Sequence, residues 1–119
     1  RRASLYGLVS EAAFFVGVDV KKYSINIGLL DFKKNLVTIR EQVPFLLENT
    51  QESYEAMIKV LEDFISELPV PREKILGVGL NLSGRINNEA GYSYSFFHFH
   101  EEPLSQTVQT RIGISTFLE

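Results

Sequence analysis

One stretch near the start of the chain decides the fold: Val16-Gly17-Val18-Asp19-Val20-Lys21-Lys22-Tyr23-Ser24. The residues from Phe14 to Asp19 are almost all apolar, which is typical of a strand that is covered on both faces and lies at the centre of a sheet. This strand delivers one carboxylate to a turn, as in a nucleotide-phosphate site. The turn itself carries two lysines and a tyrosine, where a phosphate site needs small, flexible residues.

Two further strands follow the turn. Ile25, Ile27 and Leu29 alternate with smaller or polar residues, which predicts a strand with one buried face that pairs with its neighbours as hairpins. The polar segment from Asp31 to Asn35 predicts a turn in which Asn35 takes a left-handed conformation. The chain then returns as a third strand, over residues 36–43, and Pro44 ends it.

A helix is predicted next. Asn49-Thr50-Gln51-Glu52 resembles a capping box with Asn49 in the place of the usual serine or threonine. Apolar residues then recur at helical spacing, which predicts four to five turns. These residues are Tyr54, Ile58, Leu61, Ile65 and Leu68. Pro69 and Pro71 close the helix, and the residues from Ile75 to Leu82 predict a second strand that is buried on both faces.

The last third of the chain predicts a ligand loop, a helix and a strand. Residues 83–99 are rich in glycine, asparagine and aromatics, with one short strand expected over residues 92–96. Leu104, Val108 and Ile112 mark a helix that Gly113 caps, and a strand begins at residue 114. The order βββαβαβ predicts an α/β domain with a mixed sheet, which is the ribonuclease-H-like (actin-like ATPase) arrangement shared with sugar kinases.

Composition excludes several classes of function. The 119 residues include no cysteine, so disulfides and thiolate metal sites are excluded, and a cytoplasmic location is the expectation. The net charge of −3 comes without a basic stripe, so this segment should not bind DNA by itself. No apolar run is long enough for a membrane span, and we expect no metal and no cofactor. Because the first residue is Arg1, we expect a piece of a longer polypeptide.

Two strings carry a resemblance to a known family. GVDVKKYSINIGLLDFKKNLV (residues 17–37) and KILGVGLNLSGRINNEAGYSYSFF (residues 74–97) resemble the ROK family, named for repressors, open reading frames and sugar kinases. The family's kinases carry Asp-x-Gly-Gly-Thr after the first strand and Gly-x-Gly-x-Pro-Gly-x-Val later. Gly79, Gly84 and Ile86 match the second motif, with Ser83 at its proline. The last three residues, 117–119, resemble the approach to the family's catalytic Glu-Asn-Asp.

The first motif departs from that of the kinases. A phosphate cradle needs backbone N–H groups that converge, and glycines permit this because they lack a Cβ. Lys21, Lys22 and Tyr23 remove this feature, so we interpret them with Asp19 as a degenerate phosphate turn and expect no catalytic residue in the chain. Two simpler readings stay open: the lysines lie on a solvated turn, and Asp19 accepts hydrogen bonds from turn amides.

The start of the chain favours the regulators of the family. Arg1-Arg2-Ala3-Ser4-Leu5-Tyr6-Gly7-Leu8 resembles the linker that joins a winged helix-turn-helix to the sugar-kinase-like domain in those regulators, with Ala3 at its proline. The resemblance implies that residues 1–13 are a linker from an upstream DNA-binding domain and that residues 14–119 are the N-terminal lobe. It further implies a repressor that senses a sugar or sugar phosphate, binds DNA through the upstream domain and is a homo-oligomer.

The effector site and two other functions remain as hypotheses. Ser83, Gly84 and His98 are candidate sugar contacts, although no asparagine stands where the kinases contact sugar, and His98 with His100 is not expected to bind metal. The first alternative is the N-terminal lobe of an ATP-dependent, glucokinase-like sugar kinase. The second is a ribonuclease-H-like nuclease, which needs several carboxylates for two metals. Asn81 and Ser83 stand where that enzyme should carry an acid.

Overall fold

The computed structural model describes residues 13–82, 86–87, 92–93 and 103–118. The strands are β1 (Phe14–Val20), β2 (Ser24–Asp31), β3 (Leu36–Pro44), β4 (Ile75–Leu82), β5 (Ile86–Asn87), β6 (Tyr92–Ser93) and β7 (Thr116–Leu118). The helices are α1 (Gln51–Ser66) and α2 (Leu104–Ile112), and a 3-10 turn spans Arg72–Lys74. In the described part of the chain, neither helix is long and apolar enough to cross a membrane.

Five strands form one mixed sheet in the order β3-β2-β1-β4-β7. β2 pairs with β1 and β3 antiparallel, whereas β4 pairs with β1 and β7 parallel. The central position of β1 and the order βββαβαβ within this sheet are as the sequence predicts. β5 and β6 form a separate two-stranded ribbon between β4 and α2. The strand expected over residues 92–96 is therefore described at its first two residues, and residues 94–96 lie outside the described part.

Both helices pack on one face of the sheet, which we call the covered face. Alternate residues of β1 are buried there, and α1 contributes the largest group of core side chains. The α1 residues are Tyr54, Met57, Ile58, Leu61, Phe64 and Ile65. A bidentate ion pair joins the helices, because the Arg111 guanidinium donates to both Glu55 carboxylate oxygens at 2.7 Å. Each large buried side chain contributes about 2 kcal/mol, so this face holds most of the folding energy.

Helix α1 begins one residue later than a cap at Asn49 would place it. Thr50 is the N-cap: its backbone is extended (φ −135°), and its Oγ1 accepts a hydrogen bond from the N–H of Ser53 at 3.1 Å. The predicted capping box is therefore wrong, because Ser53 and not Glu52 occupies its third position. The Ser53 hydroxyl instead donates to the Leu46 carbonyl at 2.8 Å and so fixes the segment before the helix.

The turn between β2 and β3 also differs from the prediction in one residue. Lys34, and not Asn35, takes the left-handed conformation, with φ of +69°. The Asp31 carboxylate explains the difference: its Oδ1 accepts the N–H of Lys33 and the N–H of Asn35, both at 2.9 Å. The Lys34 N–H also donates to the Asp31 carbonyl at 2.9 Å. This is the pattern of a three-residue hairpin loop, in which the residue after the turn is left-handed and forms a bulge.

The second face of the sheet, which we call the open face, corrects the prediction that β1 and β4 are covered on both faces. No helix packs on it in the described part of the chain, and Phe15 of β1 is 38% exposed. Gly17 of β1 and Gly77 of β4 lie on this face, so the continuous apolar pattern of both strands comes partly from residues without side chains. Gly113, in contrast, caps α2 in the left-handed conformation as predicted.

Candidate functional site

The β1–β2 turn, residues 21–23, contains the predicted phosphate position. Its own backbone closes it, because the N–H of Lys21 donates to the Ser24 carbonyl at 2.8 Å. Among the described residues, positive φ occurs at three positions, all outside this turn. A nest of converging N–H groups requires a residue in the left-handed region and free amides. Lys21 does not have a positive φ, and its amide is already bonded to the Ser24 carbonyl. The backbone of this turn is therefore not arranged to surround a phosphate.

A neighbouring segment holds the same turn from outside. The Lys22 carbonyl accepts the N–H of Leu47 at 2.8 Å, and the Tyr23 carbonyl accepts the N–H of Phe45 at 3.3 Å. The Leu47 and Phe45 side chains are both buried in the core, at 4% and 8% exposure. The packing of residues 45–47 therefore fixes the position of the turn, and a conformational change that freed its amides would have to disturb that packing.

The side chains of the turn make weak contacts with each other. The Lys21 ammonium lies 3.8 Å from the Asp19 carboxylate, with both side chains about half exposed. The Lys22 ammonium lies 5.5 Å from the centre of the Tyr23 ring, which is 69% exposed. Exposed ion pairs contribute about 0.5 kcal/mol or less. The structure thus brings Asp19, Lys21, Lys22 and Tyr23 to one end of the sheet without fixing the two ammonium groups.

Asn26, which no sequence pattern indicates as a site residue, completes a polar row on the open face. Asn26 of β2 and Asn81 of β4 are the Cα partners of Asp19 on either side of it. The three residues line a shallow depression of about 310 Å³. The Asn26 Oδ1 also accepts the N–H of Gln42, at 2.8 Å, and so stabilises an irregularity in β3. Pairing the first two predicted strands outward from their turn would have placed Asn26 opposite Asp19.

The polar row of Asn26, Asp19 and Asn81 lacks the carboxylates that a two-metal site needs. It contains one carboxylate between two carboxamides, whereas two-metal nucleases need several carboxylates. No group of three or more histidine, aspartate or glutamate side chains that could hold a metal ion occurs in the described part. Ser83, Gly84 and His98, the predicted effector contacts, lie outside the described residues, as do His100 and residues 1–12 of the predicted linker.

Comparison with known proteins places these features in context. No protein-family profile matches the chain. Over its whole length the chain is 22% identical to a protein of Caldicellulosiruptor sp. (strain Rt8B.4) named "Putative xylose repressor", and it spans 30% of that protein. The chain therefore aligns with less than a third of this relative.

Solved structures of similar fold include regulators and kinases. The crystal structure of a ROK family transcriptional regulator, a homologue of the E. coli MLC protein, superposes with a TM-score of 0.73 and 14% identity, over 92% of this chain and 28% of that one. A ROK family glucokinase from Streptomyces griseus, solved with glucose and AMPPNP, gives 0.67 and 17%, over 90% of this chain and 33% of that one. The resemblance that the motifs indicate is confirmed: the chain has the α/β, actin-like fold that ROK regulators and ROK sugar kinases share, and spans about a third of their length.

Proposed function

We propose that the chain is part of a ROK-type bacterial transcriptional regulator, a repressor, and forms one lobe of its effector-sensing and dimerising domain. The observation that carries this proposal is the β1–β2 turn. Its Lys21 amide is bonded to the Ser24 carbonyl, and residues 21–23 contain no positive φ. Phosphoryl transfer depends on positioning and electrostatic stabilisation of the phosphates. A lobe without a phosphate cradle is better suited to sensing than to catalysis.

The comparisons support the same choice between regulator and kinase. The relative that aligns with the whole chain is named as a repressor, and the regulator superposes with a higher TM-score than the glucokinase. In this proposal residues 1–13 link the lobe to an upstream DNA-binding domain, and residues 14–119 form the N-terminal lobe. DNA contacts then belong to the upstream domain, in agreement with the net charge of −3 here.

The proposed mechanism is a shift between two conformations of the full-length protein, acting in the cytoplasm as a homo-oligomer. A sugar or sugar phosphate binds more tightly to one arrangement of the two lobes and so changes the population that binds the operator. A tenfold change in operator affinity requires a differential binding energy of about 1.4 kcal/mol. Ser83, Gly84 and His98 are the proposed effector contacts, and no catalytic step is required of any residue.

Operator affinity of the full-length protein tests this function. A panel of sugars and sugar phosphates is titrated while the dissociation constant for operator DNA is measured. At least one compound should change that constant by about tenfold or more. His98→Ala in the same protein should reduce the response to the compound without changing operator affinity in its absence. A panel in which no compound changes DNA binding contradicts the proposal.

An ATP-dependent sugar kinase is the second candidate. Asp19 stands at the carboxyl end of the central strand. The fold is also similar to that of a glucokinase solved with glucose and AMPPNP, and these two observations favour this second function. It predicts that the full-length protein transfers phosphate from ATP to a sugar. The regulator proposal predicts no sugar-dependent ADP release, so a coupled ADP assay with the same sugar panel separates the two functions.

A further inference from the structure

A cleft of about 480 Å³ lies between the amino end of the sheet and the segment that follows α1. β1 begins at this cleft and ends at the β1–β2 turn, so the two places are about 20 Å apart along the strand. A mostly apolar lining with a few polar groups, at a volume of about 300–1,000 Å³, is typical of a small-molecule site. The apolar lining consists of Phe14, Val37, Pro69, Val70 and Pro71, and the charged lining consists of Asp31 and Lys74.

A bulge in β3 directs Val37 toward this cleft. Leu29 pairs with Thr38 and Leu30 pairs with Leu36, so Val37 is an extra residue between two regular pairs. Leu29 is buried on the covered face, and its partner Thr38 therefore lies on the same side. Regular alternation would turn Val37 to the open face, but the bulge leaves it in the lining of the cleft.

The opposite wall is rigid. Pro69 and Pro71 have a fixed φ, and Val70 between them packs against the core. The Pro71 carbonyl accepts the N–H of Lys74 at 3.0 Å, which closes the 3-10 turn that carries Lys74. A ligand therefore does not have to order this wall on binding, and such preformed walls favour affinity.

The two charged groups of the cleft differ in how they are satisfied. The Asp31 Oδ1 accepts the N–H groups of Lys33 and Asn35, and its Oδ2 accepts the Asn35 Nδ2 at 3.3 Å. Lys74 is partly buried, and among the described residues no carboxylate forms an ion pair with it. The Lys74 ammonium is therefore the charged group of the cleft that needs a partner.

The positions of the charges select the class of ligand. Phe14 pairs with Asp31 on one side and with Ile75 on the other, so these two strand positions are about 10 Å apart. Lys74 precedes Ile75, and a ligand carboxylate beside Lys74 would lie on the side of the cleft away from Asp31. A dianion such as phosphate is less well suited, because Lys74 is the single cationic residue among those that line the cleft and Asp31 repels negative charge.

We propose that this cleft binds a small monocarboxylic acid with an apolar body. The carboxylate pairs with the Lys74 ammonium, and the apolar body packs on Phe14, Val37 and the two prolines. Charge-assisted hydrogen bonds of this kind are about twice as strong as neutral ones. The site lies outside the β1–β2 turn and the predicted effector contacts, so this inference does not depend on the proposed function.

Ligand-observed NMR on the full-length protein tests the proposal with two matched probes, phenylacetate and its neutral analogue phenylacetamide. Saturation-transfer titrations give the dissociation constant of each. Phenylacetate should bind with a constant of about 1 mM or tighter, as a well-placed ligand of its size can. Phenylacetamide should bind about tenfold more weakly, because it cannot form the ion pair with Lys74.

Three variants assign the binding to the cleft. Lys74→Met removes the ammonium and keeps an apolar stem, so it should bind the two probes about equally. Lys59→Met is the matched control: Lys59 lies on α1 and pairs with Asp63, outside the cleft, so the preference for phenylacetate should persist. Val37→Glu places a carboxylate in the cleft and should weaken phenylacetate binding about tenfold or more.

Three results would overturn the proposal: no saturable binding of phenylacetate, equal affinity of the wild type for both probes, or a preference that persists in Lys74→Met. Neither probe contains a sugar or a phosphate. A negative result therefore counts against the cleft alone, and the titration of operator affinity with sugars remains a separate test of the proposed function.

Discussion

The two turns of the antiparallel part of the sheet solve the same geometrical problem in different ways. The β2–β3 turn is organised by its own residue Asp31, whose carboxylate accepts two turn amides, and Lys34 adopts the left-handed conformation. The β1–β2 turn is held from outside, because its carbonyls accept the N–H groups of Phe45 and Leu47. The β2–β3 turn is therefore encoded by its own residues, whereas the β1–β2 turn depends on tertiary packing.

This difference bears on function. An anion-binding turn needs amides that point outward and a backbone that is stable without using them. The β2–β3 turn directs its amides onto its own carboxylate. The β1–β2 turn uses the Lys21 amide to close itself and its carbonyls to anchor the segment before α1. We infer that neither turn is available to surround a phosphate, although lysines lie in both.

The largest expected effect comes from removing the outside support of the β1–β2 turn. Leu47→Ala should lower the free energy of unfolding by about 3 kcal/mol, because it leaves a cavity in the core and loosens the segment that bonds to Lys22. The exposed neighbour gives the control: Leu46→Ala should cost less than about 0.5 kcal/mol. Urea denaturation measures both, and equal losses would show that the buried anchor does not support this turn.

A smaller effect of opposite sign is expected in the β2–β3 turn. Lys34→Gly should raise the free energy of unfolding by about 1 kcal/mol, because glycine adopts positive φ without the Cβ clash of lysine. Lys33→Gly is the matched control, and it should be neutral or destabilising since Lys33 has no positive φ. Thermal unfolding of the two variants side by side tests this, and a stabilised Lys33→Gly would contradict it.

The smallest effect should be a pH dependence of stability that comes from Asp31 in the β2–β3 turn. The hydrogen bond from the Asn35 N–H holds the pKa of Asp31 below its ordinary value of 3.8. A carboxylate whose pKa is lowered by folding stabilises the native state above its unfolded pKa, and this contribution disappears as the pH falls through its folded pKa. The stability advantage of the wild type over Asp31→Asn should therefore be constant near neutral pH and shrink below about pH 4.

Urea titrations of the wild type and Asp31→Asn between pH 3 and pH 7 measure that difference. An advantage that grew on acidification would mean that Asp31 is not held as a carboxylate by the turn amides.

Patterns along the sequence predict the elements, and contacts between elements decide the details. Apolar periodicity placed five strands and two helices because it reports which side chains are buried. It did not show that Thr50 precedes helix α1, since that depends on how Ser53 bonds to Leu46. It also took glycines on β1 and β4 as part of an apolar run, although they have no side chain to bury.

The sequence predicts the part of the candidate site that lies at the end of one strand, and it does not predict the part that depends on contacts between strands. Asp19, Lys21, Lys22 and Tyr23 are consecutive or nearly so, and their place after a buried strand follows from the sequence. Asn26 and Asn81 join the site only through strand register. The bonds of the turn carbonyls to residues 45–47 depend on the path of the chain between β3 and α1, which no local pattern encodes.

Nucleotide affinity of the full-length protein tests the central claim most directly. Isothermal titration calorimetry with ATP and Mg²⁺ compares the wild type with a variant that combines Lys21→Gly, Lys22→Gly and Tyr23→Thr. The account predicts a wild-type dissociation constant weaker than about 1 mM and a tighter one for the variant, because glycine allows the turn amides to converge. Micromolar binding of ATP by the wild type, abolished by Asp19→Ala, would contradict it.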